Sequence, residues 1–443
     1  MVYVLNQEGK PLMPTSRHGK VRHLLEQGKA TVVRRTPFTI RLTYETENRT
    51  QPVTLGVDAG SKTIGLSAVA ETKELFAAEC YPRKDVVGLL SSRRESRHAR
   101  RSRTTRYRKP RFDNRVRSKH KGWLAPSIEA KIHNHEQAIA LAVSILPITT
   151  IRVETAEFDL QRLKAMMDGK PLPVGTDYQL GEQYDEYNVR QYVLHRDGYR
   201  CQCCGKSADK SKGIKLHVHH LESRKVGGNA PDNLITLCED CHKKLHKGII
   251  TLKQSKRRLK STRDAAFMSI MRKTLLERLK AKYPGKHMCS TYGYITKYHR
   301  EKAGLEKTHI VDARCIAKAP NATPADEVFA IKPVRRHNRQ IHKATISKGG
   351  YRKLNQAPKY VFGFRLFDKV SYGGKECFTY GRRSSGYFDI RLLNGDTVHK
   401  SASYKQLKLL ERAATIIVER RKKQGDRCDL VAAHNSCHRL HFA

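Results

Sequence analysis

Four cysteines in two C-x-x-C pairs, Cys201/Cys204 and Cys238/Cys241, have the spacing of a tetrahedral structural zinc site. Cys203 lies inside the first pair and competes with Cys201 on spacing alone. Between the pairs come His219, His220 and Asn233, and just after them His242 and, one helical turn on, His246. Neutral imidazole can take a proton from water near neutral pH or ligate a divalent metal. A second set is acidic. Asp58 ends the apolar run VTLGV, Glu154 lies within IRVET, and Asp312 follows His309 by one turn in THIVDARCIAKA. A carboxylate in an apolar run is costly unless it is paired or holds a cation. A third set is cationic. Residues 93–121 hold eleven Arg and three Lys against Glu95 and Asp113.

These residues need elements to position them. VTLGVDAG and TIGLSAVAE read as two strands joined by a Gly-bearing turn, and LFAAECY as a third. SIEAKIHNHEQAIALAVSIL reads as an amphipathic helix ended by Pro147, with IRVET the strand beyond it. A helix over 189–196 leads into the cysteine module, and residues 156–187, with scattered Gly and Pro, read as a linker. Arg93, Arg97, Arg100 and Arg101 recur at helical spacing, with Arg94, Arg103, Arg106 and Arg108 filling the other faces. A helix cationic all round cannot lie on an apolar core, and arginine's fork suits two phosphate backbones. Near the N-terminus VYVLN, TVVRR and FTIRLTY read as strands, and Thr15 or Ser16 as the cap of a helix to Glu26. Downstream, AAFMSIMRKTLLERLKAKY is a helix, HMCSTYGYIT holds a strand, and THIVDARCIAKA is a helix. Short alternating strands after residue 358, separated by Gly-rich turns, predict a small β-barrel. RRHNRQIHK at 335–343 is a basic patch suited to phosphates, and Arg382 and Arg383 lie at a turn.

The cysteine module resembles the HNH, or ββα-metal, nucleases in its HH pair, Asn233 and CHKKLH. By that resemblance His219 and His242 are metal ligands, His220 is the general base, Asn233 orients the His220 imidazole, and His246 is a weaker ligand candidate. A bare zinc ribbon would need neither the HH pair nor Asn233. The three acids resemble those of the RuvC nucleases, whose RNase H-like sheet gathers carboxylates around two divalent ions roughly 4 Å apart. Asp58, Glu154 and Asp312 would then bind the metal pair and His309 assist.

The order of the pieces resembles the IscB family, transposon-encoded relatives of the CRISPR type II effectors. It implies an α/β multidomain fold: an RNase H-like (RuvC) mixed sheet split in three, an inserted ββα-metal HNH zinc module, an Arg-rich bridge helix and a C-terminal β-barrel-like domain. The expected divisions are a PLMP domain (1–52), RuvC-I (53–90), bridge helix (91–123), RuvC-II (124–160), linker (161–187), HNH (188–250), RuvC-III (251–322) and a C-terminal domain (323–443) for target-adjacent-motif and RNA contacts. The resemblance further implies RNA-guided cleavage of double-stranded DNA by a monomer in a ribonucleoprotein. Mg²⁺ or Mn²⁺ would serve both nuclease sites, Zn²⁺ would be structural, and a noncoding guide RNA would direct cleavage.

Composition agrees with a nucleic-acid partner. The 443 residues allow roughly two to four domains, and the formal net charge of +45 calls for a polyanion. An anionic membrane surface is the other option, but no apolar run approaches the ~18 residues of a spanning helix. There is no signal-peptide pattern. The seven cysteines outside the zinc set are scattered and odd in number, which indicates reduced thiols. A prokaryotic cytoplasmic protein, nucleoid-associated when bound to DNA, is expected. Two other readings stand beside this one: a homing-type HNH endonuclease that reads sequence with its own side chains, and a nucleic-acid scaffold without catalysis.

Overall fold

A computed structural model describes residues 1–101, 122–155, 188–207, 214–223, 229–252, 263–335 and 358–422, with a few isolated positions between 165 and 186. The described chain divides into two compact units, Phe158–Ile270 and the remainder. Among the described residues no helix is long and apolar enough to cross a membrane.

The larger unit begins with β1 (Tyr3–Leu5), α1 (His18–Glu26), β2 (Ala30–Arg34) and β3 (Thr39–Leu42). Their three-stranded sheet has the order β1-β3-β2, and Val2, Val21, Ala30, Ile40 and Leu42 form its core. Thr15 does not cap α1. Its Oγ1 accepts from the Arg17 N–H at 3.1 Å, and Arg17 occupies the cap position without a side-chain bond.

Next come β4 (Val53–Ala59), β5 (Ile64–Ala70) and β6 (Lys73–Cys80), an antiparallel meander. All seven residues of β5 are buried, as expected of a strand covered on both faces. α2 (Val86–Arg101) follows, with Arg93, Arg94 and Arg97 exposed. The side chains of Arg100 and Arg101 lie outside the described residues, as do Arg103, Arg106 and Arg108. α3 (Pro126–Ile145) starts with Pro at its first position and buries Ile132, Ala138, Ile139, Ala142 and Ile145, packing on β1, β4, β5 and the later strand Glu327–Pro333. β7 (Ile148–Thr155) then pairs parallel with β4.

The smaller unit holds α4 (Val189–Arg196), β8 (Leu216–His220), β9 (Leu234–Cys238) and α5 (Glu239–His246). Asn188 caps α4 by accepting from the Gln191 N–H at 2.9 Å.

The larger unit resumes within α6 (Arg263–Lys282) and continues through β10 (His287–Tyr292), α7 (Gly293–Lys302), α8 (His309–Ile316) and β11 (Glu327–Pro333). It ends with β12 (Lys369–Tyr372), β13 (Lys375–Arg382), β14 (Tyr387–Arg391), β15 (Thr397–Ser403), β16 (Lys408–Glu411) and β17 (Ile416–Lys422). The central sheet has seven strands in the order β10-β7-β4-β5-β6-β11-β17. Here β10, β7 and β4 run parallel, while β17 closes the other edge antiparallel to β11.

Two expectations for the C-terminal region change. The pairing order β15-β14-β13-β12-β16 is an open antiparallel sheet with two edges among the described residues, not a closed barrel. A division at 323 also cuts the central sheet, because β11 and β17 flank the five-stranded sheet in the chain and pair with each other across that interval. The patch at 335–343 lies outside the described residues apart from Arg335.

Two glycines bring α8 onto the sheet. Gly56 lies two residues from Asp58 on β4, and Gly65 on β5 is directly opposite Asp58. A Cβ on Gly56 would lie 1.9 Å from the Ala313 carbonyl oxygen, and one on Gly65 2.0 Å from that of His309. Backbone meets backbone here, so neither position has room for a side chain.

Candidate active sites

In the smaller unit β8 and β9 pair antiparallel, with His219 opposite Ile235 and His220 opposite Leu234, and α5 follows directly. Side chains alternate along β8, which puts His217 and His219 on one face and Leu216 and Val218 on the other, toward the apolar core. His242 and His246, one turn apart on α5, bring their Nε2 atoms to 3.2 Å. The His219 ring stands edge-on to both, at 5.2 and 5.1 Å between centroids. The ligand nitrogens of these three residues all lie within 4.8 Å of one another. Burial first, then the neighbouring His242, His246 and His220, push the His219 pKa down to about 4, and burial likewise lowers that of His242. Both shifts favour the neutral form that ligates metal.

His220 is held apart from this cluster. Its Nε2 lies 3.0 Å from Asn229 Oδ1. The amide oxygen accepts, so Nε2 carries the proton and Nδ1 keeps the lone pair a base requires. This corrects the role expected of Asn233. Asn233 is fully buried, and its side chain accepts from the Glu222 N–H at 2.8 Å and donates to the Glu222 carbonyl at 3.0 Å. It fixes the backbone just past β8, and the ring itself is contacted by Asn229.

The four thiols Cys201, Cys204, Cys238 and Cys241 likewise converge within 4.8 Å, while Cys203 is exposed and outside the cluster. Burial opposes the Cys201 thiolate, but backbone N–H donors at Cys204, Cys238 and Cys203 outweigh it and bring its pKa down to about 7. Burial raises Cys238 and Cys241.

In the larger unit Asp58 and Glu154 follow the paired residues Val57 and Val153 at the carboxyl ends of parallel neighbours. α8 packs on β4 and β5 and is capped by Thr308, whose Oγ1 accepts from the Val311 N–H at 3.1 Å. Its first turn carries His309, whose Nδ1 lies 2.6 Å from Asp58 Oδ2, and Asp312, which accepts from Arg300 at 2.5 Å. Arg272 lies 3.8 Å from Glu154. Burial and the Asp58 charge, with a further contribution from Asp312, raise the Glu154 pKa. The hydrogen bond to Asp58 outweighs burial and raises that of His309. The three acids thus share one electrostatic environment at one end of the sheet, Asp58 bonded to His309 and the other two turned toward Arg272 and Arg300. Beneath them His135 is fully buried and pushed down to about 4 by burial, with Nδ1 2.8 Å from the Lys131 carbonyl.

With this geometry in place, residues 2–179 match the RRXRR protein family and residues 201–248 the HNH endonuclease family. The chain thus carries an RRXRR segment, a family found in IscB/Cas9-like nucleases, followed by an HNH endonuclease domain. Its HNH segment is a metal-dependent DNA endonuclease domain. Among curated relatives, Anaredoxin of Nostoc sp. (strain PCC 7120) is 35% identical over 66 residues, 15% of this chain and 80% of that protein. Zorya protein ZorE of Escherichia coli (strain ATCC 8739) is 36% identical over 63 residues, 14% of this chain and 17% of that protein. Among solved structures, Streptococcus thermophilus Cas9 in complex with the GGAA PAM aligns at 15% identity and a TM-score of 0.32, covering 50% of this chain and 30% of that one. The Type II-C Cas9 of Actinomyces naeslundii aligns at 17% identity and 0.16, covering 46% and 30%. The chain therefore spans about 30% of the length of those Cas9 chains.

The side chains gathered in the two places differ in chemistry. Three imidazoles without a carboxylate suit Zn²⁺, Ni²⁺, Cu²⁺ or Fe²⁺, whereas Mg²⁺ and Mn²⁺ take oxygen ligands. Asp58, Glu154 and Asp312 offer hard oxygen atoms, the ligand type that Mg²⁺ or Mn²⁺ takes. Several residues in these centres carry no sequence signal: Arg272, Arg300, His135, Asn229 and His217. The His217 ring stacks on His242 at 5.2 Å, and its Nε2 is buried with no partner among the described residues.

The thiol cluster predicts strong zinc dependence. Three of the seven fully buried residues in this unit's core are the cysteines Cys201, Cys238 and Cys241. A core that small does not hold a fold alone, and a structural zinc ion supplies about 10 kcal/mol or more. Cys238→Ser, or a strong chelator, is expected to abolish the unit's resistance to limited proteolysis while the central sheet stays protected. Zinc release measured colorimetrically should track that loss. A Cys238→Ser unit that stays protected would refute a structural zinc.

Proposed function

We propose that the protein is an RNA-guided DNA endonuclease in which the HNH unit cuts the guide-paired strand and the carboxylate centre cuts the displaced strand. One observation supports this reading: an imidazole cluster lies in one unit of the chain and a group of carboxylates with His309 in the other. The meander β6-β5-β4 followed by parallel β7 and β10 supports an RNase H-like, RuvC-type assignment for the central sheet. Asp58, Glu154 and Asp312 would hold the ions there, with His309 beside the attacking water, and His219, His242 and His246 would hold one ion in the HNH unit. Bound ions would stabilise charge developing on the scissile phosphate. His220 Nδ1 would take the proton from water while Asn229 steadies the other side of the ring. The exposed cations of α2, and the bridge segment 91–123 around it, would lie along RNA phosphates. Residues from 323 onward would contribute target-adjacent-motif and RNA contacts.

The deciding experiment supplies purified protein with RNA transcribed from the DNA flanking its reading frame, Mg²⁺ and Mn²⁺, and supercoiled plasmid carrying the matching target. A double-strand break is expected only with the matching guide. Cleavage at the same positions after RNase treatment would instead favour a homing-type nuclease. No metal-dependent cleavage under any condition would leave a nucleic-acid scaffold.

A further inference from the structure

Three tyrosines lie on the segment that passes Glu154 and on the helix that leaves it, and neither the core nor the proposed chemistry uses them. Tyr292, Tyr294 and Tyr298 are 41%, 60% and 59% exposed, large values for aromatic rings so close together in the chain. Tyr292 is the last residue of β10, paired opposite Thr155, which follows Glu154. Between Tyr292 and Tyr294 lies Gly293, so close to the acid that a Cβ there would sit 3.3 Å from Glu154 Oε1. The two flanking rings are nearly parallel, with centroids 5.9 Å apart and planes 8° from each other. One turn further along α7, Lys302 places its Nζ 5.9 Å above the Tyr298 ring, adding positive charge beside the aromatic face.

Exposed aromatic faces joined to cations are the physical recipe for holding unpaired nucleic acid. Every base has a π-face, so stacking tolerates any sequence, and the cations meet the phosphates. A duplex keeps its bases stacked on each other and offers no such face. We propose that Tyr292, Tyr294 and Tyr298 form a stacking platform for the unpaired DNA bases flanking the phosphate presented to Asp58, Glu154 and Asp312. The platform makes the centre selective for single-stranded DNA. This rests on the reading of that centre as the site cutting the displaced strand.

The test uses the full chain with its guide RNA and a single-stranded oligodeoxynucleotide carrying 5-iododeoxyuridine, which couples under ultraviolet light to a stacked tyrosine. Peptide mapping is expected to place adducts on these three tyrosines. Tyr294→Ala with Tyr298→Ala should weaken binding of the base-bearing strand about five- to hundredfold while leaving an abasic strand unchanged. Phe at both positions should restore binding, because the ring and not the hydroxyl stacks. Adducts confined to other residues, or equal losses on base-bearing and abasic strands, would overturn the platform. The two readings fail separately. Adducts on the tyrosines together with an Asp58→Ala protein that still cuts the displaced strand would overturn the cutting role and leave the platform standing.

Discussion

His220→Ala is expected to leave a nick in the strand that does not pair with the guide, with cutting of the paired strand slowed about 10²- to 10⁴-fold. The magnitude follows from the geometry. His220 lies outside the three-imidazole cluster, and its bond to Asn229 fixes the tautomer with a lone pair on Nδ1. Removing the ring removes the base without disturbing His219, His242 or His246 as ligands. Asn229→Ala should have a smaller effect, roughly the worth of one positioning hydrogen bond. Strand-specific end labels on a matched target measure both. If His220→Ala cuts the paired strand at the parental rate, the base lies elsewhere.

Asp58→Ala should produce the opposite product, a nick in the paired strand, with cleavage of the displaced strand reduced by about 10³-fold or more. Three properties meet at this carboxylate. It ends the strand next to Glu154, its charge helps set the protonation of Glu154, and it bonds His309 at 2.6 Å. Without it, the raised pKa of His309 loses its main cause. Asp58→Asn keeps the shape and separates charge from packing. It should cut as poorly as the alanine variant while melting near the parental temperature. Should both Asp58 variants and His220→Ala still cut both strands, the assignment of the two centres would be falsified.

What the sequence revealed was mostly local. The two C-x-x-C pairs, the helix over 189–196 and the one-turn spacing of His309 and Asp312 depend on neighbours along the chain, and the structure contains all three. The acids could be grouped because a carboxylate in an apolar strand stands out against its surroundings. Their counter-cations could not. Arg272 and Arg300 sit on ordinary helices, and only tertiary packing turns them toward Glu154 and Asp312. Asn229 was hidden for the same reason, while Asn233 was chosen by motif and proved to bond backbone. The barrel expectation failed because alternation predicts strands but not closure. β17 escaped notice because TIIVERRK has one apolar run followed by cations, and only its pairing with β11 makes it part of the central sheet.

The seven-stranded sheet also sets a timetable. A ribosome delivers Asp58 and Glu154 early, but the helix bearing His309 and Asp312 emerges only after a whole inserted unit, and the strand covering the edge of β11 emerges last. Such long loop closures are slow, and β11 waits as an open edge until residues 416–422 arrive. The acids of an unfinished nascent chain therefore stay scattered, and the carboxylate group cannot assemble before synthesis has passed α8.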